Sequence, residues 1–136
     1  MQDMQHSAQN PKQILIVDDS EDMRFLLGQV LEDEGYNLLY ADDGQSALSQ
    51  ATAHYPDLIL MDMSLPGISG WEAVERLRQM SDFRHIPIIA VTAHVSKADE
   101  ERTREIGCNA HLGKPFDIIV VLDTITSLLQ EDVNTR

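Results

Sequence analysis

Leu58-Ile59-Leu60-Met61-Asp62-Met63-Ser64-Leu65-Pro66-Gly67 decides how this chain folds. Leu58–Met61 is an unbroken apolar run of strand length, so both of its faces need cover. A carboxylate closes the run, and Pro66-Gly67 turns the chain. Ser69 then stands three residues before Glu72, the spacing of a capping box at the start of a helix. A strand apolar on both faces, followed at once by a helix, is the repeating unit of a parallel sheet.

The same unit recurs on both sides. Upstream, Ile14–Val17 ends in Asp18-Asp19, and Leu38–Ala41 ends in Asp42-Asp43. Downstream, Ile86–Val91 ends in Thr92, and Ala110–Leu112 ends in Gly113-Lys114-Pro115. Helical patterns fill the intervals. The first, about 20–34, aligns Met23, Leu26, Leu27, Val30 and Leu31 and stops at Gly35. The second starts near Asp42, with Gln45 three residues on, and reaches His54. The third starts at Ser69. The fourth starts at Ser96, with Asp99 three residues on, and stops at Gly107. The fifth, about 117–130, aligns Ile118, Val121, Leu122, Ile125 and Leu129, with Ile119 and Val120 beside them. Strict alternation of strand and helix predicts an α/β fold: a flavodoxin-like, doubly wound, five-stranded parallel sheet of order 2-1-3-4-5 with five helices. The polar residues 1–11 form an expected flexible leader, 12–130 the domain, and 131–136 a flexible tail.

Composition bounds the function. The chain has 136 residues, 43% hydrophobic and 24% charged, which suits one globular domain. Its net charge of −13, from 10 basic and 23 acidic residues, argues against direct nucleic-acid binding. No apolar run approaches the roughly 18 residues of a membrane span. The N-terminus lacks the order of a secretory signal. A cytoplasmic protein with no membrane contact is expected. The single cysteine, Cys108, excludes an internal disulfide and a multi-cysteine zinc site; it reads as a small packing residue, and Trp71 as a structural one.

A parallel sheet of this order brings Asp18-Asp19, Asp62, Thr92 and Lys114 to one rim. Converging carboxylates repel one another unless a cation is present, and an all-oxygen set suits Mg²⁺. The metal and Lys114 together neutralise a phosphoryl group, and Thr92 can donate to one of its oxygens. One of the carboxylates can then attack phosphorus. Each residue also has a plainer reading. Asp18-Asp19 can cap the first helix, Asp62 can be a loop aspartate, Thr92 a strand end and Lys114 a solvated lysine. His94 can act at the site rim or be an ordinary surface histidine.

Four motifs in this order resemble the receiver domain of two-component response regulators, the chemotaxis-type fold, over about residues 12–130. They are Ile14-Leu15-Ile16-Val17-Asp18-Asp19, Leu58 to Gly67, Ile88-Ile89-Ala90-Val91-Thr92-Ala93, and Lys114-Pro115-Phe116. The resemblance implies that Asp62 is the phosphoacceptor. It implies Mg²⁺ on Asp19, Asp62 and the backbone carbonyl of Ser64, with Asp18 acting through metal-bound water. Thr92 and Lys114 would grip the phosphoryl oxygens, and the Lys114–Pro115 bond would be cis. Thr92 and His111 would form the switch, although the family usually has Tyr or Phe where His111 stands. The implied donor is a sensor histidine kinase or a histidine phosphotransfer protein. The implied output is a downstream target protein met by a monomer or weak dimer, with the fourth helix, fifth strand and fifth helix as the regulated face. Such a module is not an enzyme beyond self-catalysed, Mg²⁺-dependent phosphotransfer and autodephosphorylation.

A stand-alone receiver is the first expectation, and a receiver excised from a hybrid histidine kinase or multidomain regulator the second. A haloacid-dehalogenase-type phosphatase would need a second Asp two residues after its nucleophile, where Ser20 and Glu21 stand. A flavodoxin-like cofactor binder would need a hydroxyl- and glycine-rich phosphate loop after the first strand, where Asp18 to Asp22 would repel a phosphate.

Overall fold

The computed structural model describes residues 11–93 and 96–134, with the side chains of 131–134 excepted. Its strands are β1 (Gln13–Val17), β2 (Asn37–Ala41), β3 (Leu58–Asp62), β4 (Ile88–Thr92) and β5 (Ala110–Gly113). Its helices are α1 (Glu21–Asp33), α2 (Gly44–His54), α3 (Gly70–Arg78), α4 (Lys97–Glu105) and α5 (Ile118–Asn134), with a 3₁₀ turn at Ser81–Phe83. All pairings are parallel and the order is β2-β1-β3-β4-β5. This is the expected sheet.

Alternate residues of the three inner strands build two cores. Leu15, Val17, Ile59, Met61, Ile88 and Ala90 face α2 and α3, and meet Ala47, Leu48, Ala73, Val74 and Leu77. Ile14, Ile16, Leu58, Leu60, Ile89 and Val91 face α1 and α5, and meet Leu27, Leu31, Val121, Ile125 and Leu129. Burial on both faces is why these strands, apart from Gln13 at the start of β1, carry no polar residue before their carboxyl ends.

Several boundaries move for identifiable reasons. β4 begins at Ile88 rather than Ile86, because Pro87 has no N–H for the ladder; its carbonyl still accepts from Ile59 N at 3.0 Å. The cap of α2 is Asp43, not Asp42. Its carboxylate accepts from Ser46 N at 2.7 Å, and Ser46 Oγ accepts from Asp43 N at 3.3 Å, so Ser46 rather than Gln45 closes the box. Ser69 and Ser96 cap α3 and α4 as expected. Leu26 is not a core residue: α1 buries Leu27, Gly28 and Leu31, and Leu26 is 45% exposed. The helical backbone of α5 continues past the expected end at Gln130 to Asn134. The leader up to residue 10 and His94 lie outside the described residues.

Among the described residues of α4 only Thr103 is buried, so this helix is held mainly by polar contacts. The Arg102 guanidinium lies 3.9 Å from the centroid of the Trp71 ring on α3. Arg78, at the end of α3, donates to Gly107 O, Phe83 O and the Asn109 side chain. Cys108 packs beside it, and burial pushes its thiol up to about 12, with the Arg78 charge opposing. A thiol raised so far stays neutral at neutral pH. Native protein at pH 8 should therefore react with a thiol reagent orders of magnitude more slowly than after unfolding in urea. Equal rates would show that the loop before β5 opens freely.

Candidate functional site

The carboxyl ends of β1, β3, β4 and β5 form one rim, and the expected residues meet there. Oxygen atoms of Asp18, Asp19 and Asp62 lie within 4.8 Å of one another. Asp18 and Asp62 are buried, at 3% and 2% exposure, whereas Asp19 is exposed. Lys114 Nζ bridges the buried pair, 3.3 Å from Asp18 Oδ2 and 3.2 Å from Asp62 Oδ2. Thr92, also buried, ends β4 beside them. Its carbonyl accepts from Lys114 N at 2.8 Å, which ties the chain before Pro115 to β4. The Lys114–Pro115 bond is cis, as the resemblance implies.

Local chemistry fixes each carboxylate. Asp18 Oδ1 accepts from Ser20 N at 2.9 Å, and Asp62 Oδ1 accepts from Ser64 N at 2.9 Å. In both cases one oxygen is held by the turn and the other is left for Lys114. Capping is not what Asp18 and Asp19 do: Ser20 caps α1, its Oγ accepting from Met23 N at 3.2 Å. Asp62 is strand-terminal rather than a loop residue. Lys114 is drawn inward rather than solvated.

Three residues enter the site that the sequence did not single out. Arg24 donates from its guanidinium to the Asp18 carbonyl at 2.7 Å, holding the β1 end. Gly70 opens α3 directly against the β3 end. A Cβ there would collide with the Asp62 carbonyl and lie 2.6 Å from Met63 Cα, so only glycine allows the approach. A glycine just after a helix cap was the available signal for it. Ser20 was hidden behind the more conspicuous Asp pair.

The electrostatics favour a cation. Three carboxylates face one ammonium, an excess of two negative charges. Burial alone would pull the Lys114 ammonium down; the charges of Asp62 and Asp18, with their hydrogen bonds, override it, and the net shift is upward. A raised lysine stabilises the fold fully below about pH 10.4, and that contribution is lost as pH rises through the higher folded value. Lys114 is therefore charged throughout the neutral range. An all-oxygen donor set with this excess charge fits a hard divalent ion such as Mg²⁺.

His111 sits on β5 opposite Ala90 of β4. It is half-buried, and its Nε2 is buried without a hydrogen-bond partner. It lies below the rim rather than in it. Among the described residues no helix is long and apolar enough to cross a membrane.

The sequence profile of the response regulator receiver domain matches residues 14–126. The polar-differentiation response regulator DivK of Brucella anthropi is 44% identical over 119 residues, covering 88% of this chain and 97% of that protein. The chemotaxis protein CheY4 of Vibrio cholerae superposes with a TM-score of 0.84 at 31% identity, over 88% of this chain and all of that one. The receiver domain of the sensor histidine kinase PA1611 from Pseudomonas aeruginosa, solved with a magnesium ion coordinated in its active site cleft, superposes at 0.81 with 30% identity. That match covers 89% of this chain and 99% of the other. The strand order, the acidic rim with its lysine and this similarity along nearly the whole chain agree, and the chain belongs to the response regulator receiver family, a module of phosphorylation-based two-component signalling.

Proposed function

We propose that Asp62 accepts a phosphoryl group from a phosphohistidine of a sensor histidine kinase or histidine phosphotransfer protein. The observation that carries this is the placement of Asp62. It ends the central strand, one oxygen is pinned by Ser64 N, and the other faces the one ammonium of the rim. A carboxylate oxygen of Asp62 attacks phosphorus, the P–N bond to the donor imidazole breaks, and the leaving nitrogen keeps the electron pair and takes up a proton. Lys114 and Thr92 hold the phosphoryl oxygens as charge shifts onto them. Incubation with a phosphoramidate and Mg²⁺, read by intact mass, tests the assignment.

Asp19, Asp62 and the Ser64 carbonyl would hold Mg²⁺, with Asp18 acting through water. When bound, the ion neutralises the carboxylates and the incoming phosphoryl oxygens. The exposure of Asp19, and its lack of any hydrogen bond or ion pair among the described residues, suits it to meet an ion arriving from solvent. The magnesium in the similar PA1611 receiver supports the same reading. An ion at about ten times its dissociation constant adds roughly 1.4 kcal/mol to stability, which for a domain this size is on the order of 3–6 °C in Tm. Asp19→Asn should erase most of that gain. It should leave the metal-free Tm equal or slightly higher, since the charge it removes is solvent-screened. A mutant that melts lower in EDTA and keeps the full Mg²⁺ increment would refute the metal assignment.

Output passes through protein contacts in this reading, at the face of α4, β5 and α5. Ile119 is 67% and Val120 46% exposed there. A groove of about 350 Å³ lined by Leu112 to Asp117 and Val120 runs from this face to Lys114. The sparse anchoring of α4 makes it the element most easily moved. A cytoplasmic setting suits a partner of histidine kinases.

A further inference from the structure

On the opposite flank, α1 and the outer strand β2 enclose a groove of about 440 Å³, lined by Glu21, Arg24, Phe25, Gly28, Gln29, Glu32 and Tyr40. Its walls are two aromatic rings left in solvent: Phe25 is 68% exposed and Tyr40 44%. Its floor is Gly28. A Cβ at position 28 would strike the Tyr40 hydroxyl and come within 3.2 Å of its ring, so glycine is what lets the tyrosine lean over the helix. Glycine inside a helix costs about 1 kcal/mol against alanine, and no turn or positive φ requires it here. The rim is acidic. Glu21 and Glu32 line the groove, and Asp22 and Asp33 flank it on the same helix. Arg24 is the one cation of α1, and its guanidinium is engaged by the Asp18 carbonyl. Glu32 shares the groove lining with Tyr40, and burial, and then the Glu32 carboxylate, push the Tyr40 hydroxyl up.

We propose that this groove docks a basic segment of a partner protein, with an apolar anchor between Phe25 and Tyr40, one arginine or lysine on Glu32 and a second on Glu21 at the other end of the groove. Aromatic walls bury the anchor and the stem of the basic side chain, and cation–π attraction and the acidic rim hold its charge. A second copy of this chain is a poor occupant, because both copies carry a net charge of −13. The groove does not overlap the α4–β5–α5 face, and its occupancy is independent of which carboxylate takes the phosphoryl group. Arg24 nevertheless joins the groove wall to the Asp18 end of the rim, so an occupant touches a residue one hydrogen bond from the acidic site.

The test is heteronuclear NMR titration of the whole chain, in Mg²⁺, with the blocked peptide acetyl-Ala-Arg-Leu-Leu-Arg-Ala-amide and a control carrying Glu for Arg. Shift changes should concentrate on residues 21–32 and 40, and fade with added salt. Glu32→Lys and Phe25→Ser should each weaken binding about tenfold, the change expected from losing roughly 1.4 kcal/mol. Both side chains are exposed, so both variants should keep the parent Tm. Gly28→Ala, which displaces the Tyr40 ring, should weaken binding as well. Equal binding of the acidic control, shifts centred on residues 18, 19 and 62, indifference to Glu32→Lys, or sedimentation showing that the groove pairs two copies would each overturn the proposal.

Discussion

Asp62→Asn should take up no phosphoryl group at all, under conditions in which the parent chain gains one. The amide has the size and shape of the carboxylate, so the β3 end, the turn bond from Ser64 N and the packing of Gly70 on the strand should persist. What disappears is the nucleophile, since a neutral amide oxygen does not attack phosphorus. The substitution also removes one of the two buried carboxylates sharing Lys114 and leaves Asp18 paired with it. Stability should therefore hold or rise in the absence of metal, which separates a chemical loss from an unfolded mutant. Lys114→Met should behave differently. It keeps the nucleophile and loses the counter-charge, so phosphorylation should slow by about 10²–10³, the usual effect of deleting one charge-stabilising donor, rather than vanish. It should also destabilise the fold, because it leaves two buried carboxylates uncompensated. A full mass shift in Asp62→Asn would move the acceptor to Asp18 or Asp19, and the matching Asn variants would show which.

Much of this was legible because it rests on local rules. An apolar run of strand length ending in a carboxylate reads the same in any context. Parallel topology then carries Asp18, Asp19, Asp62, Thr92 and Lys114 to one rim without any knowledge of side-chain geometry. Less legible were contacts decided by tertiary approach. Leu26 fits the helical stripe of α1 as well as Leu27 does, yet Met23, Leu27 and Leu31 meet the core and Leu26 does not, because the helix is rolled so that Gly28 faces Tyr40. Nothing in the pattern distinguishes Asp18 from Asp19. The structure does: just past the end of β1, Asp18 is turned inward to Lys114 and Asp19 out to solvent. Arg24 and Arg78 belong to helices whose surfaces carry many charges, and their partners are mainly backbone carbonyls, which no sequence pattern marks. Residue identity announces chemistry at strand ends far better than it announces which arginine is tied down.

Arg78→Ala should be strongly destabilising although the residue lies outside the apolar core. The guanidinium spans three segments. Nε and NH2 donate to Gly107 O at 3.0 and 2.7 Å, NH1 donates to Phe83 O at 2.6 Å, and NH2 reaches Asn109 Oδ1 at 3.0 Å. The same Asn109 oxygen accepts from Ile88 N at 2.9 Å, at the start of β4. One side chain thus fastens the end of α3 to the 3₁₀ turn, to the loop that closes α4, and through Asn109 to the sheet. Burial lowers the affinity of the guanidinium for its proton, but the group stays charged at any working pH. Charged hydrogen bonds contribute about 1.5–3 kcal/mol each before the loss is shared among neighbours, and several of these acceptors can recover water. A net loss of about 2–3 kcal/mol follows, close to 10 °C in Tm for this size. Arg78→Lys should recover little, because an ammonium cannot span the carbonyls of Gly107 and Phe83 with a planar fork. The loss should also be local in effect. α4 is otherwise anchored by buried Thr103 and the Arg102–Trp71 contact, so amide exchange in residues 97–110 should accelerate more than in β1 or β3. A drop of under 2 °C, or uniform acceleration across the sheet, would mean that the arginine is not the tie that holds α4 in place.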